Sequence, residues 1–265
     1  MLCLKIHDKE WKTIAVAKGE EEVNLMCVRT YQPGDKIVLE ASETDEYYWF
    51  QVDDALGRSM IFLKGNACYP IPFGVERLNL SPKAFMGEKH LLSARRAKPY
   101  EIEQYRNLAY SVVDHHANDT YFPHVTANVE TRGEAVFAAQ NAIDGITVNH
   151  SHGEWPYGSW GINQQRDARI RLEFGRMVKV DRIVLYLRAD FPHDSWWEQA
   201  EVSFSDKSKM TVKLEKTDQA QVFTMEPKTI NWLELGKLIK AKDASPYPAL
   251  TQIEVYGVEK DCDLL

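Results

Sequence analysis

The chain has 265 residues, a formal net charge of -7, 44% hydrophobic and 27% charged residues, enough to bury a sizeable core and more than one domain usually needs. No apolar run approaches the roughly 18 residues of a membrane-spanning helix, so no membrane span is expected. The acidic balance excludes nucleic acid as the expected partner, because that affinity comes from clustered Lys and Arg releasing counterions. Cys3, Cys27, Cys68 and Cys262 are scattered without a C-x-x-C pair, which reads as reduced thiols rather than a zinc knuckle or a disulfide framework. The start carries charge from Lys5 onward and lacks the apolar block of a secretory leader, so the expected location is cytoplasmic.

From residue 1 to 92 short β-type runs alternate with turns: "KTIAVA", "EVNLMCVRTY", "DKIVLEA", "YYWFQVD" and "SMIFLKG". The turn "QPGDK" has Pro followed by Gly, the type II signature, and "NACYPIPFG" cannot continue a helix. These features predict a β-sandwich over 1–92. Residues 93–107, "SARRAKPYEIEQYRN", place Pro99 before helix-favouring residues and many charges, which predicts a short helical connector.

The β-pattern returns over 108–258 with "ARIRLEFG", "VDRIVLYLR", "QAEVSFSD", "SKMTVKLEK", "QAQVFTM", "INWLELGK" and "LTQIEVYG", at the spacing of a sandwich or barrel. Alternation in 168–174 sets Ile170, Leu172 and Phe174 on one face and Arg169, Arg171 and Glu173 on the other, the mark of a strand with one buried side. The expected fold class is all-β, two β-sandwich domains joined by the connector, with 259–265 as a frayed tail.

The succession of "NAIDG" (141–145), an aromatic loop, "RLEFGRMVKVDRIVLY" and a terminal "LTQIEVYG" resembles the galactose-binding-like or discoidin (coagulation factor 5/8 type C) family, with its carbohydrate-binding modules, over about 126–258. The resemblance implies an antiparallel jelly roll that binds a sugar with loops at one end and often holds a structural calcium ion. A calcium ion would draw on Asp144, on carbonyls around Asn141 and Thr147, and on the position of Gln252 before the last strand. There the family often has a carboxylate, and a neutral amide is a weaker ligand for a hard cation. Asp144 equally serves to close the "IDG" turn.

Sugars offer C–H faces that stack on flat rings and hydroxyls that need paired donors and acceptors. Two segments supply that mixture: "NHSHGEWPYGSWGIN" (149–163) and "RADFPHDSWWEQ" (188–199). Candidate ligand-binding residues are His150, His152, Glu154, Trp155 and Tyr157 from the first, and Arg188, Asp190, His193, Trp196 and Trp197 from the second. The family's layout brings such loops together at one end of the sandwich. Trp160 matches a position where the family buries an aromatic. Trp196 and Trp197 are adjacent, so in an extended chain they face opposite ways and one belongs to the core. Tyr157 could instead brace its loop.

The expected function is carbohydrate binding without catalysis. A sugar-processing enzyme is the alternative, with Glu154 and Asp190 or Asp194 as acid and base, and a protein-interaction module is the third reading. His150 and His152 with His193 also permit a zinc-type site. No nucleophile elbow or phosphate loop is present.

Overall fold

The computed structural model describes residues 1–150, 153, 155–188 and 195–262. The first domain is built from β1 (Leu2–His7), β2 (Thr13–Gly19), β3 (Glu22–Val28), β4 (Lys36–Ala41), β5 (Glu46–Gln51), β6 (Ser59–Leu63), β7 (Ala67–Pro70) and β8 (Lys89–Arg96). A short helix α1 (Pro99–Ile102) and strands β9 (Arg106–Asn107), β10 (Tyr121–Phe122) and β11 (His124–Ala127) follow. The second domain continues with β12 (Trp160–Gly161), β13 (Ile170–Leu187), β14 (Trp197–Phe204), β15 (Lys209–Lys213), β16 (Gln221–Lys240) and β17 (Ala249–Glu259). The chain is thus all-β apart from α1 and a few single turns.

The first domain is a sandwich of two antiparallel sheets, β2-β1-β4-β7 and β10-β6-β5-β8-β3. Alternation dictates which side chains enter it: in β3 Val23, Leu25 and Cys27 are buried and their neighbours exposed. They meet Leu4, Ile6, Ile37 and Leu39 of the opposite sheet in one core. The turn between β3 and β4 is the type II turn expected of "QPGDK": Gly34 has φ +92, and the Asp35 N–H donates to the Gln32 carbonyl at 3.0 Å. A side chain at Gly34 would be strained there.

The second domain runs β12-β17-β13-β16-β14-β15, with β11 added on β13 and β9 on β17. Its core holds Trp160, Phe174, Trp197, Leu233 and Val255, and Ile170, Leu172 and Phe174 point inward as the alternation predicts. Four runs that read as separate strands form two long ones. "ARIRLEFG" and "VDRIVLYLR" join in β13, while "QAQVFTM" and "INWLELGK" join in β16. The register of β13 against β16 breaks between Glu173 and Val178, where Gly175 has φ +69 and a Cβ would lie 2.3 Å from the Phe122 ring. A glycine, not a loop, makes the bend.

The expected domain boundaries shift. Residues 93–96 complete β8 rather than opening a connector, and helix is confined to Pro99–Ile102. Beyond it the chain laces the domains together. Strand β9 pairs with β17 of the second domain, β10 with β6 of the first, and β11 with β13 of the second. Correspondingly Leu108 and Ala109 lie in the second core, Val113 and Tyr121 in the first, and Val125 in the second. Tyr110 is wedged between them, its ring against Gly145 and its hydroxyl against Gly57.

Glu259, expected in a frayed tail, is instead the last residue of β17 and one of the most heavily bonded side chains in the molecule. Its carboxylate accepts from the Tyr47 hydroxyl at 2.6 Å, from Arg106 Nη2 at 2.6 Å, and from Arg176 Nη2 and Nε at 2.8 and 3.0 Å. Tyr47 belongs to the first domain, and the Arg176 guanidinium also sits 5.1 Å from the Tyr47 ring and 5.3 Å from that of Phe62. Burial alone would raise the Glu259 pKa, but the guanidinium of Arg176, with help from Tyr47 and Arg106, outweighs it and holds the carboxyl below its ordinary value. A carboxyl whose folded-state pKa is depressed contributes stability at neutral pH and loses it as pH falls through the carboxyl range. Breaking a buried ion pair by removing one partner leaves the other charge uncompensated. Glu259→Ala is therefore expected to lower the unfolding free energy by about 3–5 kcal/mol in chemical denaturation and to flatten the acid limb of the stability–pH curve. A loss under about 1 kcal/mol, the value of an exposed pair, would show that the network does not hold the domains.

Candidate functional site

Three strand ends gather the loops at one end of the second domain. Strand β13 stops at Leu187, β17 begins at Ala249, and β12 pairs with β17 through Trp160 and Leu250. The Arg188 N–H donates to the Ala249 carbonyl at 3.0 Å, pinning the start of the second aromatic loop to the start of the last strand. The first aromatic loop is tied down from the other side, where the Ser159 N–H donates to the Val136 carbonyl at 3.0 Å. The loops meet at Arg188, whose guanidinium carbon lies 4.7 Å from the Tyr157 ring centre and 5.5 Å from that of Phe137.

The candidate residues divide sharply by burial. Trp155 is 39% exposed and His150 is exposed, so both are available to a ligand. Tyr157, 2% exposed, packs edge-on against Phe137 at 6.0 Å and supports the site from beneath rather than offering a stacking face. Trp197 is fully buried in the core, 6.3 Å from Trp160. Trp196 is half-buried and packs against the same core, so neither indole of the pair lies free at the loop tips. The reason is that β14 begins at Trp197, so strand alternation turns the Trp197 ring fully inward and leaves Trp196 half-buried. Trp160 is buried, with its indole N–H donating to the Val129 carbonyl at 2.9 Å, as the family resemblance implied. His152, Glu154, Asp190, His193 and Asp194 lie outside the described residues.

The cavity at this end has a volume of about 170 Å³. Its walls include Arg188, Phe137, Arg132, Asn163, Gln164 and Tyr247. Arg188 is 4% exposed, so its charge is enclosed between two rings while the cavity still reaches it. Arg132, Asn163 and Gln164 all adopt positive φ, at 54, 47 and 59 degrees, a backbone cost that clusters at functional loops in general. Arg132 is exposed and pairs with Glu134 at 2.6 Å. Tyr247 is 45% exposed in a loop held by Pro246 and Pro248. Sequence reasoning missed Phe137, Arg132 and Tyr247. The usable signal was "SPYPAL" before the last strand, where a tyrosine between prolines can enter neither helix nor strand; Arg132 in "TRGE" carries no such mark.

The turn expected to hold calcium has a different chemistry. Gln252 is fully buried, and its side-chain oxygen accepts the Gly145 N–H at 3.2 Å, which fixes the amide orientation and leaves Nε2 buried without a partner. A cation at that point would face a donor. Asn141 Oδ1 accepts from Asn79 at 2.8 Å, and its Nδ2 donates to the Ala135 carbonyl. Thr147 is half-buried in the following loop. Asp144 accepts from the Ile146 N–H at 2.8 Å, and enclosure of its carboxyl pushes the pKa up to about 8. Among the described residues no three His, Cys, Asp or Glu side chains gather as metal ligands. Asp144 thus closes an Asx turn through the Ile146 N–H, and the neutral Gln252 amide is a weak ligand for calcium, which seeks several oxygens and negative charge.

The chain belongs to the family described as Domain of unknown function (DUF7402), which matches residues 122–256. No curated protein matches it by sequence. Among solved structures it is similar to chitosan-binding module 1 of a chitosanase/glucanase from Paenibacillus sp. IK-5, at 19% identity over 57% of this chain and 98% of that one, with a TM-score of 0.41. It is also similar to a fucose-binding module from Streptococcus pneumoniae, at 10% identity over 58% of this chain and 98% of that one, with a TM-score of 0.42. A family 32 CBM from C. perfringens NanJ in complex with galactose matches at 16% identity over 50% of this chain and 91% of that one, with a TM-score of 0.38. No described helix is long and apolar enough to cross a membrane.

The donor set at Gln252 has a direct test. Millimolar calcium or a chelator is expected to leave the thermal midpoint unchanged, because a ligand that does not bind the native state cannot stabilise it. A midpoint that rises with calcium concentration contradicts this reading of the turn.

Proposed function

We propose that the loop end of the second domain binds a carbohydrate reversibly, without chemistry, in the cavity walled by Arg188, Phe137, Arg132 and Tyr247. The observation that carries the reading is the make-up of that cavity. Aromatic edges at Phe137 and Tyr247 stand beside an enclosed guanidinium at Arg188 and an exposed one at Arg132, with the amides of Asn163 and Gln164 in reach. Rings take the C–H face of a pyranose, while guanidinium and amide groups give its hydroxyls directional partners. Trp155, exposed on the adjoining loop, offers a second stacking face. Arginine suits the task because its planar fork holds two neighbouring oxygens and its face stacks on rings.

Calcium has no part in this proposal, and the ligand is held by side chains alone. A small, open site of this kind offsets ordering and desolvation costs only modestly, so a single sugar should bind in roughly the micromolar to millimolar range.

A glycan array followed by calorimetry is the test, run on the wild type and on Tyr247→Ala, Arg132→Ala and Trp155→Ala, with product analysis after long incubation. All three side chains are exposed, so the fold should survive. The expected outcome is saturable binding, weakened about five- to tenfold by Tyr247→Ala and Arg132→Ala, the size of one stacking contact or one hydrogen-bonding group, with the sugar recovered intact. Recovered cleavage products would replace this reading with a sugar-processing enzyme. Silence with every glycan would favour the protein-interaction reading.

A further inference from the structure

Three cavities lie end to end along the boundary between the domains. The loop-end cavity shares Arg132 and Phe137 with a neighbour of about 590 Å³, whose opposite wall is Val75, Glu76 and Leu78 of the first domain. That second cavity shares Glu76, Gly133 and Ala135 with a third, of about 310 Å³, which reaches Ser111 and Asn141. The segment 131–137 is thus common to all three, and the first domain walls two of them.

Each of the three cavities mixes apolar and polar walls. Val75 is 75% exposed and Leu78 is also largely exposed, an aliphatic surface that lines the second cavity together with Arg132 and Glu134. In the third cavity the hydroxyl of Ser111, a residue only 1% exposed, has no hydrogen-bond partner among the described residues. No Lys or Arg lines that end, and its two histidines, His115 and His116, stand among the carboxyl residues Glu76, Asp114 and Asp144, so an anion is disfavoured there. Nor is a peptide strand favoured. The backbone N–H groups of Gly133, Glu134, Phe137 and Ala138 are all spent within the 131–137 turns, which leaves no strand edge for an extended peptide to extend.

From this geometry we infer that the boundary between the domains continues the loop-end site as a groove for a linear, uncharged oligosaccharide, with Val75 and Leu78 of the first domain receiving the second or third sugar. The inference rests on the carbohydrate reading of the loop-end cavity. Every pyranose presents both C–H faces and hydroxyls, which suits walls that mix apolar and polar groups along their length. It also gives the first domain a role: it supplies a wall that the second domain lacks.

The test is calorimetry on the full chain with galactose, fucose and N-acetylglucosamine, each against linear uncharged oligosaccharides ending in that sugar. The wild type should bind an oligosaccharide at least about tenfold tighter than its end sugar. Val75→Asp and Leu78→Asp, changes at exposed positions, should reduce that advantage to under about threefold while leaving monosaccharide affinity unchanged. Ser111→Ala should weaken a pentasaccharide but not a disaccharide. Equal affinity for monomer and oligomer, retention of the full advantage in the Val75 and Leu78 variants, or loss of the monosaccharide along with it would overturn the inference while leaving the loop-end site standing. Failure of the wild type to bind any of these sugars, at either length, would remove both readings.

Discussion

The Glu259 carboxylate, held by Arg106, Arg176 and Tyr47, is the interaction on which the arrangement of the two domains depends. It lies at the end of the last strand of the second domain, and Arg176 follows the glycine at which β13 bends, so the bend aims the guanidinium at the first domain. Two cations and a phenol around one buried carboxylate satisfy more of its lone pairs than an isolated pair could, which is the condition under which a buried charge stabilises. The same boundary carries an amide bridge between Asn79 and Asn141 and a second carboxylate, Asp114, which accepts from Asn118, from His124 and from the Val125 N–H. Directional polar contacts thus join the domains.

The groove proposed above needs the two domains held in a fixed relation. A flexible pair of sandwiches would present each loop end separately, and residues 74–78 would have no fixed position relative to 131–137. Here the chain crosses between domains at β9, β10 and β11, and Tyr110 fills the space above two glycines. Within the second domain, the buried indoles of Trp160 and Trp197 set the floor beneath the loops, and the Arg188 guanidinium closes the stack over Tyr157 and Phe137. The exposed rings at Trp155 and Tyr247 stand on that support.

Much of this was readable from residues. The alternation in 168–174 placed Ile170, Leu172 and Phe174 correctly, and "QPGDK" located its turn, because period and turn chemistry are local properties. Fusion of runs into β13 and β16 was not readable. Gly175 looks like a turn in sequence, and only the Phe122 ring packed on it shows that the strand continues. The crossings of 106–127 escaped for a related reason: two-residue strands such as Tyr121–Phe122 carry no periodic signal, and their partners are far along the chain. The aromatic loops drew attention to tryptophans, yet Trp197 was taken by the core. The cavity walls fell to Phe137, Arg132 and Tyr247, of which only Tyr247, between two prolines, carries a mark in its sequence neighbours. Glu259, in a charged terminal stretch, was indistinguishable from a solvated tail until the pairing of β17 set it against Arg176.

The central claim is that both domains form one binding surface around residues 131–137. Hydrogen exchange on the full chain, with and without the oligosaccharide that binds most tightly on the array, measures it most directly. The account predicts slowed exchange on ligand addition in 131–138 and 161–164 of the second domain and, in the same experiment, in 74–80 of the first. Protection confined to the second domain, with 74–80 exchanging at its ligand-free rate, would contradict it.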